Sequence, residues 1–96
     1  MSEPVYVVVE TLAVHDADGY RDYQSRARQQ LLDRGGEVVA RGDGHFDGSP
    51  PFGPVVIQKW PSRSAFVEWQ QSEEYRPLKE GRSGHVDLRL TVLDAI

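Results

Sequence analysis

The chain has 96 residues, a formal net charge of −4 and no cysteine. A chain of this length makes one domain with one core, so we expect residues 1–96 to form a single domain. Its 11 Lys and Arg against 15 Asp and Glu leave no basic excess of the kind that nucleic-acid phosphates select, and we expect no nucleic-acid partner. Without cysteine there are no disulfides, thiol nucleophiles or cysteine-rich zinc sites.

The chain also lacks membrane and export signals. No apolar run approaches the roughly 18 residues that a membrane-spanning helix needs. The start of the chain, MSEPVYVVVE, lacks the basic region and the small-residue cleavage site of a signal peptide. We therefore expect a cytoplasmic protein with no membrane contact.

The first predicted elements are a strand and a helix. Residues 5–12 are rich in β-branched residues and apolar at odd and even positions, which predicts a strand covered on both faces. Asp16 or Asp18 is expected to cap the helix that follows, and the glycines at 35–36 are expected to end it. The apolar positions of this helix recur at steps of three and four residues and are Tyr20, Tyr23, Ala27 and Leu31.

Residues 37–41 predict a second strand, and a stretch rich in Gly and Pro follows at 42–54. This stretch is much longer than a usual hairpin loop of about two to five residues. Either the strand resumes through His45 and Phe46 after a glycine bulge, or the stretch is a mobile flap. The alternating glycines at its start favour the bulged strand.

Residues 55–60 predict a third strand, which Pro61 ends. Ser62 or Ser64 is expected to cap a second helix. The apolar positions of this second helix are Ala65, Phe66 and Trp69.

A short helical segment is predicted from Ser72 to Gly81, and residues 85–93 then alternate between apolar and polar, as in a strand with one face in the core. The order β-α-β-β-α-β predicts an α+β, ferredoxin-like fold, with a four-stranded antiparallel sheet and both helices on one face. Two helices cover one sheet face only, yet the first strand is apolar on both. The simplest cover is a second copy packed sheet against sheet, so we expect a homodimer.

Several short motifs along the chain form a recognisable pattern. They are Tyr20-x-x-Tyr23, Gly35-Gly36, Val55-Val56-Ile57, Trp60-Pro61-Ser62 and Ala65-Phe66-x-x-Trp69-x-x-Ser72-x-x-Tyr75-x-x-Leu78-x-x-x-Arg82. In this pattern nearly the whole chain resembles a family of small, uncharacterised bacterial proteins in the dimeric α/β-barrel superfamily. The chain departs from the family in two places: the family usually has Phe where this chain has Trp60, and residues 49–54 form an expanded Gly/Pro stretch.

The resemblance implies an architecture and leaves the reaction open. Members of this superfamily include cofactor-free monooxygenases of aromatic polyketides, muconolactone isomerases, polyketide cyclases, chlorite dismutase and haem-degrading enzymes. What they imply for this chain is a dimeric α/β barrel with a small-molecule pocket between helices and sheet.

The histidines are the first candidates for catalysis. Their spacing matches no metal signature, and no phosphate-binding glycine loop is present, so we expect neither a metal nor an organic cofactor. His85 or His45 would act as general acid or base, and Arg82 would hold a carboxylate or enolate. In the alternative interpretation His85 caps the last strand, Arg82 pairs with a carboxylate of the short helix, and His45 is solvated. His15 is expected to have no role at the site.

Aromatic side chains are the candidates for substrate binding. Tyr6 would orient a substrate oxygen or anchor the dimer interface. Tyr20 and Tyr23 are expected in the core with their hydroxyls at the edge of a cavity, and in an enzyme Tyr20 or Tyr6 would donate a hydrogen bond to the substrate. Trp60 and Trp69 would stack on an aromatic ligand or pack in the core. Residues expected to pair on the dimer-facing surface of the sheet, or to line the space within it, are Asp87, Arg89 and Arg41.

Two hypotheses of function follow. The first is a cofactor-independent enzyme that acts by acid/base chemistry on a small carbonyl, enol or aromatic polyketide-like compound, as an isomerase, cyclase or monooxygenase. The second is a non-catalytic dimeric module that binds a ligand or a partner, which the lack of a convergent catalytic motif favours.

Overall fold

The helices and strands follow one another along the chain in the order that the sequence patterns predict. A computed structural model describes residues 3–96; the first two residues, which belong to the expected domain and to the start compared with signal peptides, lie outside the described residues. The elements are β1 (Val5–Val14), α1 (Ala17–Asp33), β2 (Glu37–Gly42), β3 (Val55–Trp60), α2 (Arg63–Gln70), α3 (Arg76–Arg82) and β4 (Val86–Asp94).

The four strands form one antiparallel sheet in the order β2-β3-β1-β4. One face of β1 carries Val5, Val7 and Val9, which are buried in a single cluster with the apolar faces of the helices. The predicted ferredoxin-like fold, with its helices on one side of the sheet, is confirmed. Among residues 3–96, no helix has the length and hydropathy that a bilayer crossing requires.

An aromatic cluster joins α2 to the end of β3. The Trp60 ring stacks on Trp69 at a centroid separation of 5.3 Å and meets the Phe66 ring edge-on at 5.6 Å. Trp60 and Trp69 are 0% and 2% exposed, so these rings form the centre of the core. Gly36 makes room for them, because a Cβ there would lie 3.0 Å from the Trp60 ring and 2.9 Å from Leu31.

The opposite face of the sheet is covered by no helix of the described chain. Register places Tyr6 opposite Lys59 and Leu93, and Val8 opposite Ile57 and Thr91, all on this uncovered face. The face therefore combines apolar side chains with Lys59 and Thr91, and it has an ion pair at one end. That pair joins Arg89 to both carboxylate oxygens of Glu10, each at 3.0 Å, and the Arg89 hydrogen bond lowers the pKa of Glu10.

Side-chain caps settle where the longer helices begin. Asp16 Oδ1 accepts from the Gly19 amide at 3.1 Å, and Ser62 Oγ accepts from the Ala65 amide at 3.0 Å. The sequence left two candidates for each cap, and the structure has Asp16 rather than Asp18 and Ser62 rather than Ser64. Gly35, with φ +88°, reverses the chain after α1, as expected for a glycine at a helix end.

The Asp16 cap predicts a contribution to acid stability. The hydrogen bond that the Gly19 amide donates to Asp16 lowers the pKa of this carboxyl, and the neighbouring His85 lowers it further. A pKa lower in the folded than in the unfolded chain gives stability that is present at neutral pH and is lost as the pH falls through the folded pKa. Asp16→Asn keeps a good cap but removes the titrating carboxyl. We expect its melting temperature to fall less than that of the parent between neutral pH and about pH 3. Parallel melting curves for the two proteins over this range would contradict the assignment.

Two boundaries differ from the prediction. β2 ends at Gly42, and its bulge lies at Val39 instead of at the glycines; His45 and Phe46 belong to the irregular connection, where Phe46 is fully exposed. The glycine-rich connection offers no packing surface that would hold it in the sheet. The short helix also continues through Gly81 to Arg82, because backbone hydrogen bonds at its end tolerate a single glycine at modest cost.

Candidate functional site

A cavity of about 750 Å³ lies between α1 and the helix-covered face of the sheet. Its floor is apolar and comes from three strands, while α1 forms the roof and the end of α2 one wall. This is where the resemblance places a small-molecule pocket. The floor residues are Val9, Val56, Leu88 and Leu90, and the roof and wall residues include Tyr20, Tyr23, Gln24, Ala27, Trp69, Gln70 and Tyr75.

The charged residues of the cavity are all of one sign. Among residues 3–96, those that line it are Arg21, Arg28 and Arg41, with no carboxylate. Arg21 pairs with Asp18 on α1 at 3.3 Å, whereas Arg28 and Arg41 have no ion-pair partner within the described chain. A cationic lining in a chain of net charge −4 favours a ligand that carries negative charge or electron-rich oxygen.

The β2 bulge decides which way Arg41 faces. Val38 pairs with Gln58, but Ala40 pairs with Ile57 and Arg41 with Val56, so Val39 is an extra residue in the ladder. Because one added residue exchanges the two faces of a strand, Arg41 shares the face of Val56 and lines the cavity. The expectation that Arg41 pairs on the dimer-facing surface is therefore wrong.

Three polar side chains join α1 to α3 at the cavity wall. The hydroxyls of Tyr23 and Tyr75 are 2.6 Å apart, and Nη1 of Arg82 donates to the Tyr75 hydroxyl at 2.9 Å. Burial, together with the neighbouring Tyr75, raises the pKa of Tyr23, so its hydroxyl stays protonated at neutral pH. Arg82 thus pairs with tyrosines, and the alternative in which it pairs with a carboxylate of the short helix is wrong.

The candidate aromatic residues divide between cavity, core and sheet surface. Tyr20 lines the cavity and stacks on Tyr23 at 6.2 Å, and Trp69 lines it with its Nε1 donating to Gln30 at 3.1 Å. Trp60 lies in the core, away from the cavity lining, and Tyr6 lies on the uncovered sheet face.

The histidines lie outside this cavity. His85 precedes β4, with its Nδ1 3.2 Å from Asp16 Oδ2, and His15 Nε2 is 3.0 Å from Asp87 Oδ2. His45 is exposed on the β2–β3 connection and contacts the Gly48 carbonyl. Within residues 3–96, none of the three lines the cavity, so the acid/base roles of His85 and His45 stay predictions that need a ligand bound elsewhere. Asp87 pairs with His15, and Arg89 pairs with Glu10.

Some residues of the cavity escaped prediction as site residues. Tyr75 belongs to the sequence pattern that marks the family, so its position in that pattern was an available signal. Gln70 and Arg28 carry no such signal, because only the packing of α1 over the sheet brings them to one cavity. Among residues 3–96, no group of three or more His, Cys, Asp or Glu side chains is arranged to hold a metal ion.

Comparison with known proteins agrees with this fold and cavity. A family model described as a domain of unknown function, DUF1330, matches residues 4–96. The chain belongs to the DUF1330 family. No curated protein sequence matches it significantly.

Solved structures extend the likeness beyond this family. RPA0582 from Rhodopseudomonas palustris, a protein of unknown function, is 23% identical with a TM-score of 0.82, over 100% of this chain and 85% of that one. SnoaB from Streptomyces nogalater, described as a cofactor-independent oxygenase, is 15% identical with a TM-score of 0.65, over 100% and 95% of the two chains. PA3566 from Pseudomonas aeruginosa is 13% identical with a TM-score of 0.63, over 100% and 96%. At these identities the likeness shows the fold that the DUF1330 chain shares with them.

Proposed function

We propose that this DUF1330 protein binds a small carbonyl or enol compound in the cavity beneath α1 and promotes its enolisation without an organic cofactor. The observation that carries the proposal is a cavity of about 750 Å³ with an apolar floor, in which arginines are the only charged lining residues among residues 3–96. The floor suits the carbon skeleton of an aromatic or alicyclic ligand. The arginines suit the oxygen that gains negative charge when such a ligand gives its α-proton to a solvent water molecule. Water is the acceptor because the lining described for residues 3–96 holds no carboxylate or imidazole.

Two further observations support this assignment. The tyrosines at the cavity wall place hydroxyl groups beside an apolar floor, which is what a ligand with one polar edge requires. SnoaB, which shares the fold, is described as a cofactor-independent oxygenase, so the same architecture is compatible with chemistry that relies on the substrate and side chains alone.

Binding is tested with 2-hydroxy-1,4-naphthoquinone, a coloured enol that is ionised at neutral pH. We expect one molecule to bind per chain in isothermal titration calorimetry. Arg41→Gln should weaken binding about threefold to tenfold, because one charge-assisted contact at an exposed mouth is lost, and added salt should reduce the difference.

The matched control is Arg63→Gln. Arg63 is an exposed arginine at the start of α2 and lies outside the cavity lining, so its loss should leave the affinity unchanged. Equal effects of the two substitutions would show that the ligand responds to net charge and would contradict binding in this cavity.

Catalysis is tested separately from binding. The α-hydrogens of 1-tetralone exchange with solvent only through its enol, so proton NMR in D₂O measures enolisation directly, and an oxygen electrode measures any oxygenation of the enol. We expect exchange faster than in buffer alone and slower with Arg41→Gln. Binding with no exchange and no oxygen uptake would favour the non-catalytic module, which the lack of imidazole and carboxylate groups in the described cavity lining also favours.

We also propose that the protein is a homodimer that buries the uncovered face of the sheet. The support is the row of partly exposed apolar side chains on that face, at the centre of which Val8 lies between Ile57 and Thr91. A self-complementary apolar surface of this kind is satisfied by a two-fold related copy. The face that binds the second copy is opposite to the face that forms the cavity, so one does not obstruct the other.

A further inference from the structure

The hydroxyl protons of Tyr23 and Tyr75 can be assigned by counting donors and acceptors. Each hydroxyl has one proton, and the guanidinium of Arg82 only donates. One hydroxyl proton lies in the 2.6 Å bond between the two oxygens, while the Tyr75 oxygen accepts from Arg82 at 2.9 Å. Arg82 also hydrogen-bonds to the Tyr23 hydroxyl, but it can only donate there. Within residues 3–96, neither hydroxyl has an acceptor other than its neighbour, so one of the two protons has no acceptor.

Burial decides which proton that is. Tyr75 is 0% exposed, whereas Tyr23 is partly exposed, and both rings line the cavity. If Tyr23 donated to Tyr75, the Tyr75 proton would be buried without an acceptor, which is unfavourable. The hydrogen bonds therefore run from Arg82 to Tyr75 and from Tyr75 to Tyr23, and they leave the Tyr23 proton for a group in the cavity.

We propose that the Tyr23 hydroxyl donates a hydrogen bond to the carbonyl or enolate oxygen of a ligand in this cavity, with Tyr75 and Arg82 as positioning residues. The proposal rests on the function proposed above and names the atom that recognises the ligand. The Arg82 charge polarises the Tyr75 hydroxyl, and successive donors in one chain strengthen the last of them. Tyr23 is consequently a better donor than an isolated tyrosine.

A second unsatisfied group belongs to a residue of the same cavity lining. The side-chain amide nitrogen of Gln70, at the end of α2, is buried and has no hydrogen-bond partner among the described residues, and Gln70 lines the cavity. A buried donor without a partner is uncommon and calls for an acceptor such as a ligand oxygen or a water molecule. Two donors without acceptors, on α1 and α2, make an oxygen-bearing ligand the natural occupant.

The test uses two probes that differ by one oxygen, 1-tetralone and its hydrocarbon 1,2,3,4-tetrahydronaphthalene. We expect the parent protein to bind the ketone more tightly in calorimetry. Tyr23→Phe should weaken binding of the ketone about threefold to tenfold, the usual effect of one neutral hydrogen bond. The affinity for the hydrocarbon should stay unchanged. Tyr6→Phe is the matched control, because it removes the same hydroxyl group from the uncovered face of the sheet, outside the cavity lining, and should leave the binding of both probes unchanged.

The outcomes separate this inference from the proposed function. If the parent and Tyr23→Phe each bind the ketone no more tightly than the hydrocarbon, the Tyr23 assignment is overturned, and the cavity remains a ligand site. Equal losses for both probes in Tyr23→Phe would show that the hydroxyl only maintains the shape of the cavity. Failure of the parent to bind either probe would overturn the proposed function, and the inference with it.

A spectroscopic readout covers the case in which Tyr23→Phe folds poorly. The infrared carbonyl stretch of bound 1-tetralone moves to lower frequency when its oxygen accepts a hydrogen bond. We expect this shift in the parent, a smaller shift in Arg82→Gln, and partial recovery in Arg82→Lys. If the tyrosines and Arg82 serve only to tie α3 to α1, Arg82→Gln will lower the melting temperature with no change in the carbonyl frequency, and that result would overturn the proposal.

Discussion

Replacing Trp60 by alanine is expected to destabilise the protein by about 3–5 kcal/mol, the usual effect of deleting a large buried aromatic side chain. Trp60 is 0% exposed and contacts the rings of Phe66 and Trp69. The substitution also removes the indole N–H that donates to Gln58 at 2.9 Å. Since small domains are stable by only about 5–15 kcal/mol, Trp60→Ala should leave much of the protein unfolded at moderate urea concentration.

The measurement is the urea dependence of the near-ultraviolet signal, with parent and variant at one protein concentration. Trp60→Phe is the control, because it keeps an aromatic ring against Phe66 and Trp69. We expect it to retain more than half of the stability that alanine removes. A loss below about 1 kcal/mol for Trp60→Ala, within the range of surface substitutions, would show that Trp60 is not the centre of the core.

Replacing Val8 by arginine is expected to convert the proposed dimer into a monomer. Val8 lies in the middle of the uncovered sheet face, between Ile57 of β3 and Thr91 of β4. Two arginines brought together there by a two-fold axis would repel each other and would lose water on association. Light scattering coupled to size-exclusion chromatography should then give 10.8 kDa for the variant and about twice this mass for the parent.

Val67→Arg is the matched control for this experiment. Val67 is a partly exposed valine on α2, on the opposite side of the sheet, with 37% exposure, so the same added charge should leave the mass unchanged. A parent protein that runs as a stable monomer would contradict the dimer outright. A Val8→Arg variant that remains dimeric would show that another surface forms the interface.

The predictable part of this protein is local in origin. Asp16 and Ser62 cap their helices because the free amides at a helix start need an acceptor within a few residues. Gly35 follows α1 because the chain there adopts a positive φ. The strands follow from short runs of alternating or continuous apolar residues. Their order determines the ferredoxin-like arrangement, because short connections and antiparallel pairing leave few other topologies.

The irregular segments were harder to predict for the opposite reason. Residues 42–54 contain glycines and prolines that are compatible with a bulged strand and with an open connection, and the decision depends on whether β3 offers hydrogen bonds there. The register of β3 ends at Val55 opposite Gly42, so no strand remains for His45 and Phe46 to pair with. The sequence predicts a helix end at Gly81, but α3 continues to Arg82.

The candidate site depended on tertiary structure. Arg41 faces the cavity because of one extra residue at Val39, a change of face that no local pattern announces. Tyr23 and Tyr75 are 52 positions apart in the chain, yet their hydroxyls are 2.6 Å apart. The sequence indicates Arg82 as a candidate, but its tyrosine partners are determined by the packing of α3 against α1.

The sequence by itself determined the family and the order of the elements, and it narrowed each helix cap to two residues, because these features depend on neighbouring residues and on hydrophobic periodicity. Only the tertiary structure decided which polar groups meet: the arginines of the cavity lining, the Tyr23–Tyr75–Arg82 chain and the histidines left outside. The physical reason is that hydrogen bonds act over about 3 Å, so a site is defined by atomic positions that packing and strand register set together.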